Sequence, residues 1–198
     1  MADTVGFIGL GPMGMPMATN LSKAGVPLAV YDASATAAQV ARGLAGVDVA
    51  PSPKAVAERA AVVFTCLPND DIVRAVYLGP DGVAAGGKAG LVTCDCSTVS
   101  PEATLDVHRA LAAGRISHMD TPMLGSQPQA VAGEIFFIVG GDAANMAKIE
   151  PYLKIMGKLH MYVGPPATGN RIKLMHNGLA AVISVAVAEA LATCVKAG

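Results

Sequence analysis

The chain has 198 residues, of which 53% are hydrophobic and 15% are charged, and its formal net charge is −1. This composition can bury a sizeable core, although the length exceeds one average domain and falls short of two. Lysine and arginine form no long basic run, so nucleic acid is excluded as an expected partner.

The four cysteines form neither a CxxC pair nor a zinc-finger spacing with histidine. They are Cys66, Cys94, Cys96 and Cys194. A bridge between Cys94 and Cys96, two positions apart, would be strained. We therefore expect four free thiols and no metal. Because no basic segment precedes the first apolar run, we also expect no signal peptide and a cytoplasmic protein.

The chain opens with a strand, a glycine turn, a helix and a second strand, the order typical of dinucleotide-binding domains. An apolar run over 4–9 leads into the GxGxxG motif, whose residues are Gly9, Leu10, Gly11, Pro12, Met13 and Gly14. The first glycine permits a tight turn, the second lets a pyrophosphate reach the backbone, and the third lets the helix pack on the strand. We predict that the six motif residues bind a nucleotide, with its phosphates at the helix N-terminus.

Asp32 ends the second apolar run, 18 residues after Gly14. A carboxylate here would accept hydrogen bonds from the adenosine ribose and repel a 2′-phosphate. Residues 33–36 contain no arginine, which favours NAD over NADP. The structural alternative for Asp32 is a helix N-cap, a role that Ser34 could also fill.

Strand and helix patterns alternate through the rest of the chain. Strands are predicted at 61–66, 91–95, 116–120, 134–139 and 159–163, and helices at 37–44, 52–59, 71–77, from 100 onward and at 142–155. This alternation predicts an α/β fold, a Rossmann-type doubly wound and mostly parallel sheet. The ligand loops would be 9–14, 67–70, 96–100 and 121–129.

One long helix follows the sheet, beginning near Gly164 and running to Lys196 or Ala197. Gly169, Lys173 and Asn177 share one face of it. We expect Gly169 to let a flat ring approach the backbone, and burial to lower the pKa of Lys173. The stretch 178–195 resembles a membrane span, but it is short, alanine-rich and contains Glu189, so we expect a buried or interfacial helix and no membrane.

Four stretches resemble the 3-hydroxyisobutyrate dehydrogenase (β-hydroxyacid dehydrogenase) family. They are residues 6–21, which include the glycine turn; 95–101, with the sequence DCSTVSP; 120–126, with the sequence DTPMLGS; and 164–177. Their order and register cover essentially the whole chain. Members of this family transfer hydride between a 3-hydroxy acid and a nicotinamide cofactor.

The resemblance implies a role for each matching residue. Lys173 would exchange a proton with the substrate oxygen, and Asn177 would help to hold the substrate. The substrate carboxylate would lie against Ser97, Gly125 and Ser126. Leu67, Pro68 and Thr98 would lie beside the cofactor.

The chain departs from the family pattern in two respects. The family commonly has Ser-Gly-Gly where this chain has Leu124-Gly125-Ser126, which predicts a bulkier, less polar or differently bound substrate unless Leu124 points into the core. Members also usually continue into an all-helical domain that dimerises. We therefore expect a Rossmann-type domain at 1–163, the start of a truncated helical domain at 164–198, and homo-oligomers formed through the long helix.

The main interpretation is an NAD-dependent 3-hydroxy-acid oxidoreductase with Lys173 as the proton donor and acceptor. His176, three residues after Lys173, is a competing base. An imine-reductase-like member is the alternative within the same class. An NAD-binding module without turnover, or a protein–protein module that uses the long helix, is the alternative from another class.

Overall fold

The computed structural model describes residues 3–198, and in that part of the chain nine strands form one sheet. The strands are β1 (Val5–Ile8), β2 (Leu28–Tyr31), β3 (Val47–Val49), β4 (Val62–Thr65), β5 (Val92–Asp95), β6 (Ser117–Asp120), β7 (Met123–Leu124), β8 (Ile135–Gly140) and β9 (Gly157–Gly164). The order β3-β2-β1-β4-β5-β6 is parallel throughout. Every residue of β1, β4 and β5 is buried, as expected for parallel strands covered on both faces.

The sheet changes direction beyond β6. Strand β8 runs antiparallel to β6 and β7, and the pairs Asp120–Gly140 and Met123–Phe137 keep one register along it. Strand β9 pairs with β8 in parallel. The C-terminal end of β6 therefore lies beside the end of β9, where Gly164 pairs with Gly140, and beside the start of the helix that follows.

Helices cover both faces of the sheet. They are α1 (Gly14–Lys23), α2 (Ala35–Ala41), α3 (Pro53–Ala57), α4 (Asp70–Leu78), α5 (Val83–Gly86), α6 (Pro101–Ala113), α7 (Gln127–Ala132), α8 (Met146–Met156) and α9 (Thr168–Ala197), with a 3-10 turn at Ala143–Asn145. Side chains of α1, α7 and α8 form one core with Phe7 and Phe64. Side chains of α3 to α6 form the other core with Ile8 and Val63.

The predicted fold class, a mostly parallel Rossmann-type sheet followed by one long helix, is confirmed. Serine N-caps account for two well-placed helix starts: Ser52 accepts the Ala55 N–H at 3.2 Å and Ser100 accepts the Ala103 N–H at 3.1 Å. Strands β3 and β7 and helices α5 and α7 were not predicted. They are two to six residues long, too short to carry a periodic pattern.

The long helix α9 is exposed rather than buried. Within residues 3–198, α9 is the one helix that is long enough and apolar enough to cross a membrane, judged by length and composition only. Its most apolar stretch is not buried in the fold. Gly169 and Asn170 are its buried residues, whereas Met175 is 76% exposed and Val195 83% exposed. Of the expected buried or interfacial helix, burial within this chain is therefore wrong, and an interfacial position stays a prediction.

Candidate cofactor and active site

A cleft of about 540 Å³ opens at the C-terminal ends of β1, β2 and β4. Among its lining residues are Gly9, Gly11, Pro12, Met13, Gly14, Asp32, Leu67 and Pro68. Eight of the ten predicted cofactor residues therefore meet in one place. The other two lie apart: Leu10 is buried behind the turn, and Thr98 is exposed on the next loop.

The three glycines of the turn have different surroundings. Gly9 has a φ of 91°, and a Cβ there would collide with the backbone oxygen of Cys66. A Cβ on Gly14 would collide with the backbone oxygen of Gly9, so this glycine lets α1 begin directly against β1. A Cβ on Gly11 would meet nothing within 4 Å, so its backbone is open to the cleft. This is the arrangement that a pyrophosphate needs at a helix N-terminus.

Asp32 lies at the far side of the cleft and ties it to the glycine turn. Its Oδ2 accepts the Leu10 N–H at 2.6 Å, and its Oδ1 accepts the Ser34 N–H at 2.7 Å. Ser34 is the N-cap of α2 and accepts the Ala37 N–H at 3.4 Å. The carboxylate is therefore not the helix cap, and each of its oxygens keeps acceptor capacity for a ribose hydroxyl.

A buried polar chain joins Asp95 to the cofactor cleft. Oδ1 of Asp95 accepts the Thr65 hydroxyl at 2.8 Å, the Ser97 N–H at 3.0 Å and the Ser97 hydroxyl. The Ser97 Oγ in turn accepts the Leu67 N–H at 2.8 Å. Burial raises the pKa of Asp95, and the hydrogen bonds from Ser97 and Thr65 oppose that rise.

The donors of Ser97 are occupied within this chain, and the contact expected between Ser97 and a substrate carboxylate stays a prediction. Ser97 is 2% exposed, and both its N–H and its hydroxyl proton are already donated to Asp95. A hydroxyl has one proton to donate, so Ser97 has no donor left for a substrate. Its place in the structure is to hold the Leu67 loop.

Gly125 and Ser126 are exposed, but Gln129 occupies the donors of Ser126. The Ser126 N–H and hydroxyl both donate to Gln129 Oε1, at 2.9 and 2.6 Å, in a capping box at the start of α7. Gly125 has a φ of 129°, which a residue with a side chain rarely adopts. Leu124 is half-buried. The sequence prediction overlooked Gln129, although its spacing from Ser126 is that of a capping box.

Lys173 is half-buried on α9, and burial lowers its pKa, as the sequence predicted. His176 and Asn177 are exposed. Lys173 and Asn177 do not line the cofactor cleft. Their predicted roles stay predictions.

The expectation that Gly169 admits a flat ring is wrong. A Cβ at this position would lie 2.7 Å from the Ile138 backbone oxygen and 2.8 Å from Asp120 Oδ2. The missing side chain makes room for the sheet. Two buried residues that the sequence prediction overlooked, Asp120 and Asn170, fix the helix there. The N-cap residue of α9 is Ala167, which has no side-chain acceptor. In the sequence, an alanine at the helix start was the sign that an acceptor must come from another segment.

Among residues 3–198, no group of three His, Cys, Asp or Glu side chains could hold a metal ion. The groups that line the cleft include the backbone of the glycine turn and the Asp32 carboxylate.

Residues 4–164 match the family model described as the NAD binding domain of 6-phosphogluconate dehydrogenase. The chain belongs to this family. The cofactor of this NAD-binding domain is NAD. Residues of the glycine turn line the cleft.

Relatives of known activity match the NAD-binding domain and the long helix together. A 2-(hydroxymethyl)glutarate dehydrogenase of Eubacterium barkeri is 39% identical over 98% of this chain and 64% of its own length. An NAD-dependent L-serine dehydrogenase of Pseudomonas aeruginosa is 38% identical over 98% of this chain and 65% of its own length. The chain thus spans about two-thirds of the length of these relatives.

The solved structure of Mycobacterium tuberculosis 3-hydroxyisobutyrate dehydrogenase with L-serine superposes with a TM-score of 0.89. The two sequences are 32% identical, and the match covers 96% of this chain and 64% of the solved one. The predicted resemblance to the 3-hydroxyisobutyrate dehydrogenase family is thereby confirmed. An imine reductase from Pseudomonas sp. has a TM-score of 0.78 at 15% identity, which shows a shared fold alone.

Proposed function

We propose that this chain carries out the cofactor and proton-transfer steps of an NAD-dependent oxidoreductase that acts on a 3-hydroxy acid. The observation that carries the proposal is the presence of two features in one chain. One is the glycine-turn cleft with the Asp32 carboxylate at its far side. The other is Lys173, a half-buried lysine whose pKa is lowered by burial.

The cleft residues would bind and orient the cofactor. Open backbone at Gly11 lies where phosphates would approach the N-terminus of α1, and the Asp32 carboxylate lies where the ribose hydroxyls would donate. When bound, NAD supplies the hydride acceptor and NADH the hydride donor. A negative charge at Asp32 disfavours a 2′-phosphate, which supports NAD over NADP.

Lys173 would move the proton. In oxidation its neutral amine accepts the hydroxyl proton of the substrate, and in reduction its ammonium returns that proton. A lowered pKa enlarges the fraction of neutral amine near neutral pH. Asn177, one turn further along the same face, would orient the substrate hydroxyl.

The carboxylate of the substrate would meet the loop that begins α7. Gly125 and Ser126 are exposed residues, and Gln129 Oε1 accepts the Ser126 N–H. A substrate carboxylate could replace that amide oxygen, because both are acceptors. This exchange supports a carboxylic acid as the substrate class.

The test is initial NADH production by the 198-residue chain with NAD or NADP over a panel of 3-hydroxy acids. Lys173→Met is the variant and Lys196→Met, at the exposed end of the same helix, is the matched control. We expect NAD-dependent turnover that Lys173→Met abolishes and Lys196→Met preserves. Binding of NADH without turnover on any acid would favour the alternative, an NAD-binding module whose chemistry needs further protein.

We further propose that the chain self-associates through α9. The support is the exposure of large apolar side chains along that helix, such as Val182 at 68%, Val185 at 60% and Leu191 at 62%. Contiguous apolar surface of this kind marks an interaction site. Sedimentation velocity should show a mass that rises with concentration in the parent chain. Val182→Glu should reduce it, and Val40→Glu, at a 57% exposed position on α2, should not.

The division of the chain at Gly164 and a cytoplasmic location stay predictions. The end of the family match at residue 164 supports the division. Free Cys66, Cys94, Cys96 and Cys194 support a reducing compartment. Cell fractionation with an antibody against the chain would test the location, and a vesicle-bound fraction would instead support membrane binding by α9.

A further inference from the structure

The long helix α9 begins without a side chain of its own to cap it. Its N-cap residue, Ala167, has no side-chain acceptor and adopts a left-handed backbone with a φ of 71°. The first N–H groups of a helix have no partner within the helix. Ala167, Gly169 and Asn170 are buried, so these groups need an acceptor from elsewhere in the fold.

Asp120, the last residue of β6, supplies that acceptor. Its Oδ1 accepts the Ala167 N–H at 2.9 Å, and its Oδ2 accepts the Asn170 N–H at 2.8 Å. Two accepting oxygens are the pattern of an ionised carboxylate. Burial raises the pKa of Asp120, and the backbone N–H groups of Asn170 and Ala167 oppose that rise. A negative charge here also complements the positive end of the helix dipole.

Two glycines enclose the carboxylate. A Cβ on Gly140 would lie 2.5 Å from Asp120 Oδ1, and a Cβ on Gly169 would lie 2.8 Å from Asp120 Oδ2. Distances this short are not found between real Cβ atoms and their neighbours. The strand, the carboxylate and the helix therefore meet with no space for a side chain between them, which restricts the helix start to one position.

Asn170 makes a second attachment on the same turn. Its Oδ1 accepts the Val99 N–H at 3.3 Å, and its Nδ2 donates to Thr104 Oγ1 at 3.2 Å. The first turn of α9 is thus joined both to the end of β6 and to the loop that follows β5. Lys173 is three residues beyond Asn170, on the same side of the helix and about 4.5 Å further along its axis.

We propose that Asp120 is a positioning residue for Lys173. Its carboxylate holds the first turn of α9 against β6 and thereby fixes the position of Lys173, which lies one turn further along the helix. This proposal rests on the proposed function of Lys173 in proton transfer. A helix start released from β6 would expose the half-buried Lys173 side chain to water.

The test compares Asp120→Asn with the parent chain. The substitution keeps the size of the side chain but removes its charge and replaces one acceptor with a donor. The matched control is Asp142→Asn, because Asp142 Oδ1 caps the Ala143–Asn145 turn by accepting the Ala144 N–H at 3.0 Å. Both variants lose a helix-capping carboxylate, but only Asp120 caps α9.

Three measurements are made on each chain: amide hydrogen exchange, the acylation rate of the Lys173 amine read by peptide mass mapping, and NADH binding. In Asp120→Asn, protection of residues 167–174 should fall about tenfold, as expected for loss of a buried hydrogen bond to a charged group. Lys173 should be acylated several-fold faster. NADH affinity should not change, because Asp120 does not line the cleft. Asp142→Asn should match the parent in all three.

Turnover supplies a fourth reading. In Asp120→Asn, kcat should fall about tenfold or more while the KM for NAD is unchanged. Unchanged acylation of Lys173, or an unchanged kcat in spite of faster exchange, would show that Asp120 is merely structural and would overturn the proposal. A parent chain without turnover would refute the proposed function, whereas exchange and acylation would still decide the role of Asp120.

If Asp120→Asn does not fold, a second variant tests the proposal. Asn170→Ala removes the attachment to Val99 and should also speed acylation of Lys173. Acylation of Lys173 at the parent rate in Asn170→Ala would show that attachment of the first turn does not control the amine, which would overturn the proposal.

Discussion

Asp95 and Asp120 are paired in register at the ends of two neighbouring parallel strands, β5 and β6. Both carboxylates are buried, and Asp120 adds to the rise of the Asp95 pKa. Each organises a different part of the site. Asp95 holds Ser97 and, through it, the Leu67 loop of the cofactor cleft, whereas Asp120 holds the start of α9.

The role of Ser97 in this arrangement can be tested by Ser97→Ala. The change leaves the Leu67 N–H without its acceptor, which should lower the free energy of unfolding by about 1–3 kcal/mol. Because Leu67 lines the cleft, NADH binding should also weaken. Ser22→Ala is the matched control, because the Ser22 hydroxyl donates to the Ala45 backbone oxygen at 2.7 Å away from the cleft. Fluorescence titration with NADH should show weaker binding in Ser97→Ala only. Unchanged NADH affinity with a raised KM for the substrate would instead support a contact between Ser97 and the substrate carboxylate.

Cofactor preference should depend on Asp32. Asp32→Ala removes the acceptor and the negative charge expected at the ribose, so the ratio of NAD to NADP affinity should fall about tenfold or more, the size of a lost charged hydrogen bond. Asp48→Ala, at an exposed position on β3 that pairs with Arg59, is the control. Binding of both cofactors is measured side by side by calorimetry. An unchanged ratio would mean that Asp32 only supports the Leu10 turn.

The cofactor half of the site was predictable from the sequence because it is local. The glycines of residues 9–14 and the carboxylate of Asp32 belong to one strand–turn–helix–strand unit, and backbone geometry brings them together. The substrate half depends on contacts between distant segments, such as Val99 with Asn170 and Asp120 with Ala167. The sequence predicts that such loops share one sheet edge, but it does not predict which donors are already occupied.

The same distinction explains why the neighbours of Ser97 and Gly169 were not predicted. A serine after a strand and a glycine on a helix face are each consistent with ligand contact, but in this fold their neighbours are Asp95 and Asp120. Both carboxylates end apolar strands, where a buried charge is unfavourable unless it accepts several hydrogen bonds. That rule indicates that each needs donors, but not where the chain supplies them.

The stability of the chain should depend on pH through His118, which is 2% exposed on β6. The Thr93 hydroxyl forms a hydrogen bond with His118 Nδ1 at 2.9 Å. Within residues 3–198, His118 Nε2 has no hydrogen-bond partner. Burial, with a smaller contribution from His108, lowers the pKa of His118 to about 3.

A histidine whose pKa is lower in the folded state contributes stability that is complete above its unfolded pKa and is lost on acidification. Between about pH 6.5 and 3 the unfolded chain binds the proton and the folded chain does not. At pH 5 the resulting loss in the free energy of unfolding is about 2 kcal/mol. Asp95 and Asp120 act in the opposite direction, because their raised pKa values make the folded state the stronger proton binder, so the prediction concerns a difference between two chains.

His118→Asn should remove this dependence, because asparagine can still donate to Thr93 but does not titrate. Urea unfolding at pH 7.5 and pH 5 should show the parent chain losing about 2 kcal/mol more than the variant on acidification. His176→Asn, at an exposed position on α9, is the control and should behave as the parent does. Equal losses in the parent and in His118→Asn would mean that the buried imidazole is protonated in the folded state.

Gln129 should limit the affinity for substrate. Its Oε1 accepts both the N–H and the hydroxyl of Ser126, so a substrate carboxylate has to displace it. Gln129→Ala should lower the KM for a 3-hydroxy acid without changing kcat, because the donors become free before the substrate arrives. The loss of the capping box should cost about 1 kcal/mol of stability. Gln127→Ala, at an exposed position two residues earlier on α7, should change neither the KM nor the stability. A KM that rises in Gln129→Ala would place Gln129 among the groups that bind the substrate, and an unchanged KM would mean that the carboxylate binds elsewhere.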